Sequence, residues 1–166
     1  MSVLSAQSIR RLCHPEWDHE EAVRQRGRPM IEPFVERDVV HGKSFGLSAC
    51  TYDCRIAEDL LIFPGQARLA STMERFCLPS NICGSVLDKS SYARIFVSAF
   101  NTHLDPGWAG YLTVELANLG TNPVHYWRGD PVCQIKFEWL DEPTDLPYTG
   151  KYHNQEAGPQ AARNDR

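Results

Sequence analysis

The sequence predicts a mainly β fold, a jelly roll or β-barrel preceded by one short helix. Short apolar stretches recur along most of the 166-residue chain, and turn sequences such as Pro64-Gly65 and Arg128-Gly129 separate them. Beyond residue 43, no amphipathic pattern is long enough to predict a helix. Such a series of strands closes most readily into a barrel or a two-sheet sandwich.

The N-terminal part carries the helical pattern. Apolar residues at helical spacing predict a helix over residues 3–12, with Ser2 or Ser5 as its cap. The segments that follow are predicted as a polar surface excursion, an edge strand beside a proline, and a loop, over residues 13–29, 30–34 and 36–43.

Nine strands are predicted after the loop, over residues 49–56, 60–63, 67–72, 75–78, 83–88, 95–100, 111–117, 124–126 and 131–139. In the seventh, Leu112, Val114 and Leu116 fall on one face at period two. Glu115 therefore points the other way, on a face that is either solvent-exposed or the wall of a polar pocket. The turn Asp105-Pro106-Gly107 leads into this strand.

Composition limits the function. A chain of this length with 42% hydrophobic residues predicts one domain, assigned to residues 1–147, with a tail over 148–166. The charge of −4 argues against binding to nucleic acid or to an anionic membrane. The sequence contains neither a membrane-length apolar run nor a signal-peptide core, so a cytoplasmic location is expected. Residues from 140 onward are poor in apolar side chains and are predicted to become ordered only by docking on another surface, such as a ligand or a neighbouring subunit.

The cysteine and histidine spacings predict no metal site. Six cysteines include no C-x-x-C pair, and six histidines form no H-x-x-x-H pattern. Cys50 and Cys54 are interpreted as small buried thiols in their reduced form.

Two stretches contain side chains suited to chemistry. Burial of Glu115 in a central strand would raise its pKa toward the range of a general base, whereas a solvent-facing glutamate is the alternative. Residues 89–94 place two cations and two serine hydroxyls after a strand, as either a phosphate cradle or a simple helix cap. Asp105 is interpreted from composition as a turn residue, His103 as a loop or surface imidazole, and His125 as a strand residue without a partner.

Five stretches occur in one order along residues 46–159: G-L-S-A-C-T-Y-D-C-R-I (46–56), F-P-G-Q-A-R-L-A-S-T-M-E-R-F-C-L-P (63–79), D-K-S-S-Y-A-R (88–94), L-D-P-G-W-A-G-Y-L-T-V-E-L-A-N (104–118) and Y-T-G-K-Y-H-N-Q-E-A-G-P (148–159). Together they resemble the dCTP deaminases, a branch of the trimeric dUTPase superfamily. The resemblance implies a distorted jelly-roll subunit of the dUTPase-like type and a homotrimer with active sites between subunits.

The resemblance also implies an activity, the deamination of dCTP to dUTP and ammonia without a catalytic metal. Glu115 matches the family's general base. Ser90 matches the hydroxyl that positions the attacking water, and Arg94 matches the basic residue beside it.

Substrate contacts are implied in the same way. Asp105 matches the aspartate that contacts the deoxyribose 3′-hydroxyl, and Lys89, Ser91 and Asn101 are further candidates for substrate binding. The tail contributes residues that match those folding over the bound nucleotide, namely Tyr148, Lys151, Tyr152 and Gln155. Mg²⁺ is expected to arrive with the triphosphate, held by phosphate oxygens.

The chain departs from the family pattern before Asp105. Ten residues separate Arg94 from Asp105, apparently two fewer than in typical members, and His103 stands where many deaminases have arginine. Two alternatives therefore stay open beside deamination. One is a dUTPase or a bifunctional enzyme that releases dUMP and pyrophosphate, and the other is a catalytically silent, nucleotide-binding regulatory trimer.

Overall fold

The computed structural model describes residues 2–14 and 28–164, so most of the predicted polar excursion over 13–29 lies outside the described residues. Within these ranges, helices α1 and α2 span Ala6–Cys13 and Ser90–Ala93. Strands β1 to β13 span Ser2–Val3, Ile31–Glu32, Arg37–Val40, Lys43–Leu47, Thr51–Arg55, Leu60–Ile62, Ala67–Cys77, Ile82–Asp88, Val97–Ala99, His103–Leu104, Ala109–Asn118, Val124–Tyr126 and Pro131–Trp139. The prediction of a mainly β fold with a short N-terminal helix is confirmed.

Two antiparallel sheets form the body of the domain. The larger has the strand order β10-β8-β13-β5-β4-β3, with β1 also paired to β13. The smaller has the order β2-β7-β11-β9, and a separate ribbon pairs β12 with β6. Apolar side chains from both sheets meet in one core, which includes Tyr52, Phe76, Val114 and Phe137. Fully buried side chains of this size supply most of the driving force for folding.

Strand β11 has the predicted alternation. Leu112, Val114 and Leu116 are buried, whereas Thr113 and Glu115 on the opposite face are partly exposed. In the middle of the smaller sheet, β11 pairs with β7 on one side and with β9 on the other. The glutamate is therefore held on a strand with a neighbour on each side.

Two predicted boundaries in the body are wrong. Residues 37–47 form a hairpin, β3 and β4, where a loop over 36–43 was expected. Its turn is His41-Gly42, with φ of 47° and 75° at the two positions, as a two-residue hairpin turn requires. Residues 67–77 form one strand, β7, where two strands were expected. The interruption is an irregularity in register opposite Leu112, where the Thr72 hydroxyl donates to the Glu74 carbonyl and accepts from the Leu112 amide.

The tail docks on its own domain, so docking orders it as predicted, although the surface is neither a ligand nor a neighbouring subunit. The Tyr148 amide donates to the Pro106 carbonyl at 2.8 Å, and the Asn154 amide donates to the Ala109 carbonyl at 2.8 Å. Gly110 permits the close approach, since a Cβ there would lie 2.6 Å from the Gln155 nitrogen. Backbone hydrogen bonds to β11 thus compensate for the tail's low apolar content.

All six cysteines are free; Cys54 is buried as expected, but Cys50 is exposed in the bend before β5, so its predicted burial is wrong. Within the described residues, no helix has the length and apolar character needed to cross a bilayer. The same residues contain no cluster of three or more metal-ligating side chains.

Candidate functional site

A cavity of about 390 Å³ lies between the outer face of β11, the loop after β10 and the docked tail. Three parts of the chain that are distant in sequence therefore share one site. Its lining residues are Leu69, Thr102, His103, Leu104, Asp105, Trp108, Leu112, Thr113, Glu115, Tyr148, Tyr152, Gln155, Gln160 and Ala162. Such a mixture of apolar walls and a few polar groups is typical of a small-molecule site.

Glu115 is the acid on the strand side of the cavity. It faces Leu69 of β7 across the sheet, and its backbone carbonyl accepts from the Phe100 amide at 2.9 Å. Burial raises the pKa of Glu115 above its ordinary value, and a backbone hydrogen bond offsets part of that effect. A carboxylate whose proton affinity is increased in this way is suited to accept a proton from water near neutral pH.

Asp105 lies on the loop side of the same cavity. The Asp105-Pro106-Gly107 turn is closed by the Trp108 amide, which donates to the Asp105 carbonyl at 3.0 Å. Its carboxylate is half exposed and lies 3.9 Å from Nε2 of His103. The two acids therefore lie in different environments. Glu115 is partly desolvated on a strand, whereas Asp105 is exposed to water at the opening of the cavity, so they can serve different roles.

The tail supplies the remaining wall. The indole nitrogen of Trp108 donates to the Tyr152 carbonyl at 2.8 Å, and the Tyr152 amide donates to the Tyr148 hydroxyl at 3.2 Å. Thr113, two residues before Glu115, accepts from Nε2 of Gln155 at 2.6 Å and from the Gln160 amide at 3.0 Å. The threonine thus links two points of the tail to the face of β11 that carries Glu115.

Five of the eleven predicted site residues line this cavity, namely Glu115, Asp105, Tyr148, Tyr152 and Gln155. Lys151 is on the tail but outside the lining, with its amino group 5.5 Å from the ring centre of Tyr152. Asn101 is exposed just before Thr102, which does line the cavity.

The other four predicted residues lie on α2 and its cap, away from the cavity of their own chain. Ser90 and Arg94 are exposed, Ser91 is partly exposed, and the Arg94 guanidinium donates to the Ser90 carbonyl at 3.0 Å. Lys89 is buried, and its amino group is bound to Asp53. None of these four residues lines the cavity that contains Glu115.

Sequence reasoning missed several lining residues. Thr113 had a detectable signal, because it shares the face of Glu115 at period two. His103, interpreted as a loop or surface imidazole, is exposed as expected, and it also lines the cavity beside Asp105. Leu69 and Gln160 had no such signal, because cross-strand register and the path of the tail bring them to the site.

Comparisons with known proteins agree with this architecture. The dCTP deaminase-like family model matches residues 51–140. The dCTP deaminase of Acidobacterium capsulatum is 31% identical over 173 residues, covering 84% of this chain and 92% of that protein. A Methanosphaera stadtmanae protein named dCTP deaminase, dUMP-forming, is 35% identical over 145 residues, covering 82% of this chain and 69% of that protein.

Solved structures are similar in fold. The crystal structure of 2′-deoxycytidine 5′-triphosphate deaminase from Agrobacterium tumefaciens superposes with a TM-score of 0.62 at 16% identity, covering 82% of this chain and 47% of that one. An EIAV dUTPase superposes with a TM-score of 0.51 at 21% identity, covering 61% of this chain and 84% of that one. The dUTPase-like fold expected from the sequence is thereby confirmed.

Proposed function

Because this chain belongs to the dCTP deaminase family, we propose that it is a hydrolase that converts dCTP and water to dUTP and ammonia. The observation that carries the proposal is the position of Glu115, a partly desolvated acid on β11 that lines a cavity of nucleotide size. The named relatives are enzymes, which favours this reading over a silent regulatory trimer.

Glu115 acts as the general base. The water oxygen forms a bond to cytosine C4 while Glu115 accepts a water proton and transfers it to N3. Collapse of the tetrahedral intermediate breaks the bond between C4 and the exocyclic nitrogen. The second water proton completes the leaving ammonia, and the N3 proton remains in the uracil product. Partial burial supports this role, because it raises the carboxylate's affinity for the transferred proton.

The nucleotide is held by the loop and the tail. At the opening of the cavity, the Asp105 carboxylate accepts a hydrogen bond from the 3′-hydroxyl of the deoxyribose. Asn101 lies beside the wall that faces the base. Tyr148, Tyr152 and Gln155 cover the nucleotide from the tail, with Lys151 toward the phosphates. Closure of these residues excludes bulk water from the reacting carbon. Mg²⁺ enters with the triphosphate on phosphate oxygens.

Assembly as a homotrimer completes the site. Ser90, Ser91 and Arg94 are exposed on α2, next to the exposed apolar side chains of Ile95 and Phe96, which are 47% and 68% exposed. An exposed apolar patch of this kind is typical of an interface between subunits. In the trimer, α2 of one subunit adjoins the cavity of the next, where Ser90 positions water and Arg94 stabilises negative charge.

A cytoplasmic location follows from the free deoxynucleotide substrate.

Two observations favour a second activity. Asp105 lines the cavity, and a 35% identical relative is named dUMP-forming. The same site would then bind dUTP with its phosphates exposed to a second water, releasing dUMP and pyrophosphate. Pyrophosphate release from dCTP distinguishes the bifunctional enzyme from the simple deaminase.

The test is a product assay with dCTP, dCMP and dUTP, following ammonia, uracil nucleotides and pyrophosphate separately. Replacing a general base lowers kcat by roughly 10²- to 10⁴-fold, so Glu115→Gln should lose ammonia release to that extent. Glu138→Gln is the matched control, because Glu138 lies on β13 in a partly exposed ion pair with Lys136 at 3.3 Å. Absence of ammonia with wild-type enzyme, or full activity in Glu115→Gln, would contradict the proposal.

A further inference from the structure

Helix α2 and its cap present two different faces. Lys89 and Tyr92 are buried, at 8% and 3% exposure, whereas Ser90 and Arg94 are exposed. On a helical turn, residues three and four apart lie on one side. The buried pair and the exposed pair therefore occupy separate sides of the same short segment.

The first buried contact is an ion pair. The Lys89 amino group binds the Asp53 carboxylate on β5 and lies 3.5 Å from the Ser44 hydroxyl on β4. Asp53 is itself 7% exposed. Separation of this pair would leave two charges buried without compensation, so the amino group is not available to a ligand at the surface.

The second buried contact is a shared carboxylate. Asp130, fully buried before β13, accepts from the Tyr92 hydroxyl at 3.4 Å and from the Trp127 amide at 3.1 Å. Its other oxygen lies 2.8 Å from Nδ1 of His41 in the turn between β3 and β4. One carboxylate thus connects α2 to the turn between β3 and β4 and to the turn between β12 and β13.

The Tyr92 ring adds packing to this contact. It stacks on the Tyr126 ring with centroids 4.2 Å apart, and the Lys43 amino group lies 5.4 Å from its centre. The ring and the hydroxyl therefore have separable functions. Removal of the hydroxyl alone leaves the stacked ring in place.

We propose that Lys89 and Tyr92 are positioning residues, which fix α2 on the larger sheet through Asp53 and Asp130 so that Ser90 and Arg94 are presented at a set place and orientation. The inference rests on the proposed roles of Ser90 and Arg94. It gives Lys89 a role other than substrate binding. A helix of four residues has too few internal hydrogen bonds to hold such geometry unaided.

The first test compares Tyr92→Phe with Tyr126→Phe in the full chain. Both variants remove one buried hydroxyl from the same stacked pair, but the Tyr126 hydroxyl has no hydrogen-bond partner within residues 2–14 and 28–164. Tyr92→Phe should lower kcat for dCTP by roughly three- to tenfold, as loss of one hydrogen bond predicts, with KM changed less than about twofold. Tyr126→Phe should match wild type. Equal kcat values in all three proteins would overturn the role of Tyr92.

The second test separates positioning from phosphate binding. An Asp53→Asn/Lys89→Gln double variant replaces the buried ion pair by neutral amides and leaves no lone charge behind. As a positioning change it should lower kcat with little change in KM. A large rise in KM with kcat preserved would show that Lys89 contacts the phosphates, and the proposal would be wrong.

Hydrogen exchange tests the attachment of α2 without relying on the activity measurement. In Tyr92→Phe, the amides of residues 92–96 should exchange faster than in wild type, while the amides of β11 stay protected. If wild-type enzyme released no ammonia, the proposed function would fail, yet this local change would still report on the attachment of α2. Unchanged exchange at residues 92–96 would overturn the attachment itself.

A second variant serves if Tyr92→Phe fails to fold. His41→Asn perturbs Asp130 from an exposed turn, and it is expected to produce the same faster exchange at residues 92–96.

Discussion

Thr113→Val should release the tail from β11 without disturbing the sheet. Valine has nearly the shape of threonine and an equal preference for strands, so the change removes chiefly the hydroxyl. That hydroxyl accepts from Gln155 at 2.6 Å and from the Gln160 amide at 3.0 Å. At about 1 kcal/mol for each hydrogen bond, the tail loses about 2 kcal/mol, which shifts its opening equilibrium by roughly 30-fold.

Two measurements follow the released tail. Amides of residues 148–160 should exchange faster with deuterium, and KM for dCTP should rise by roughly three- to thirtyfold, because each binding event must now close the tail. Thr121→Val is the matched control, since Thr121 is exposed in the loop before β12. Unchanged exchange and unchanged KM in Thr113→Val would refute the reasoning that this hydroxyl holds the tail.

The remaining predictions concern close packing and a buried charge. Gly110→Ala should raise KM for dCTP while the body stays folded, because the added Cβ would lie 2.6 Å from the Gln155 nitrogen and displace the tail; a wild-type KM would contradict this. Glu74→Leu should lower the free energy of unfolding by about 3–5 kcal/mol, measured by denaturant titration, because Glu74 is fully buried and pairs with Arg55 at 2.8 Å. Loss of less than about 1 kcal/mol, the range of an exposed pair, would show that the Arg55 guanidinium finds another partner.

The period-two alternation of apolar residues and the turn sequences predicted most of the fold. The alternation of Leu112, Val114 and Leu116 placed Glu115 on the outer face of β11, as observed. The hairpin turn at His41-Gly42 was not predicted, because histidine at positive φ is less typical of such turns than asparagine or aspartate. Strand β7 was predicted as two strands because the hydrogen bonds that carry it past its irregularity come from the Thr72 side chain, which no apolar pattern reveals.

The candidate site was predictable where its residues are close in sequence or carried by the family motifs. Glu115, Asp105 and the aromatic residues of the tail were expected, and they line one cavity. Leu69 was not, because only the register between β7 and β11 brings it beside Glu115. The contact between Lys89 and Asp53 spans 36 residues and joins two charges that sequence alone gives no reason to pair.

The central claim, that Glu115 is the base in deamination of dCTP, is tested most directly by the pH dependence of kcat/KM. A general base works when ionised, so the rate should fall as pH decreases through its pKa. Because burial raises the pKa of Glu115, the acid limb should lie above the ordinary glutamate value of 4.5. The limb should be absent from the residual activity of Glu115→Gln. An acid limb at or below 4.5 in the wild-type enzyme, or one that persists in Glu115→Gln, would contradict the account.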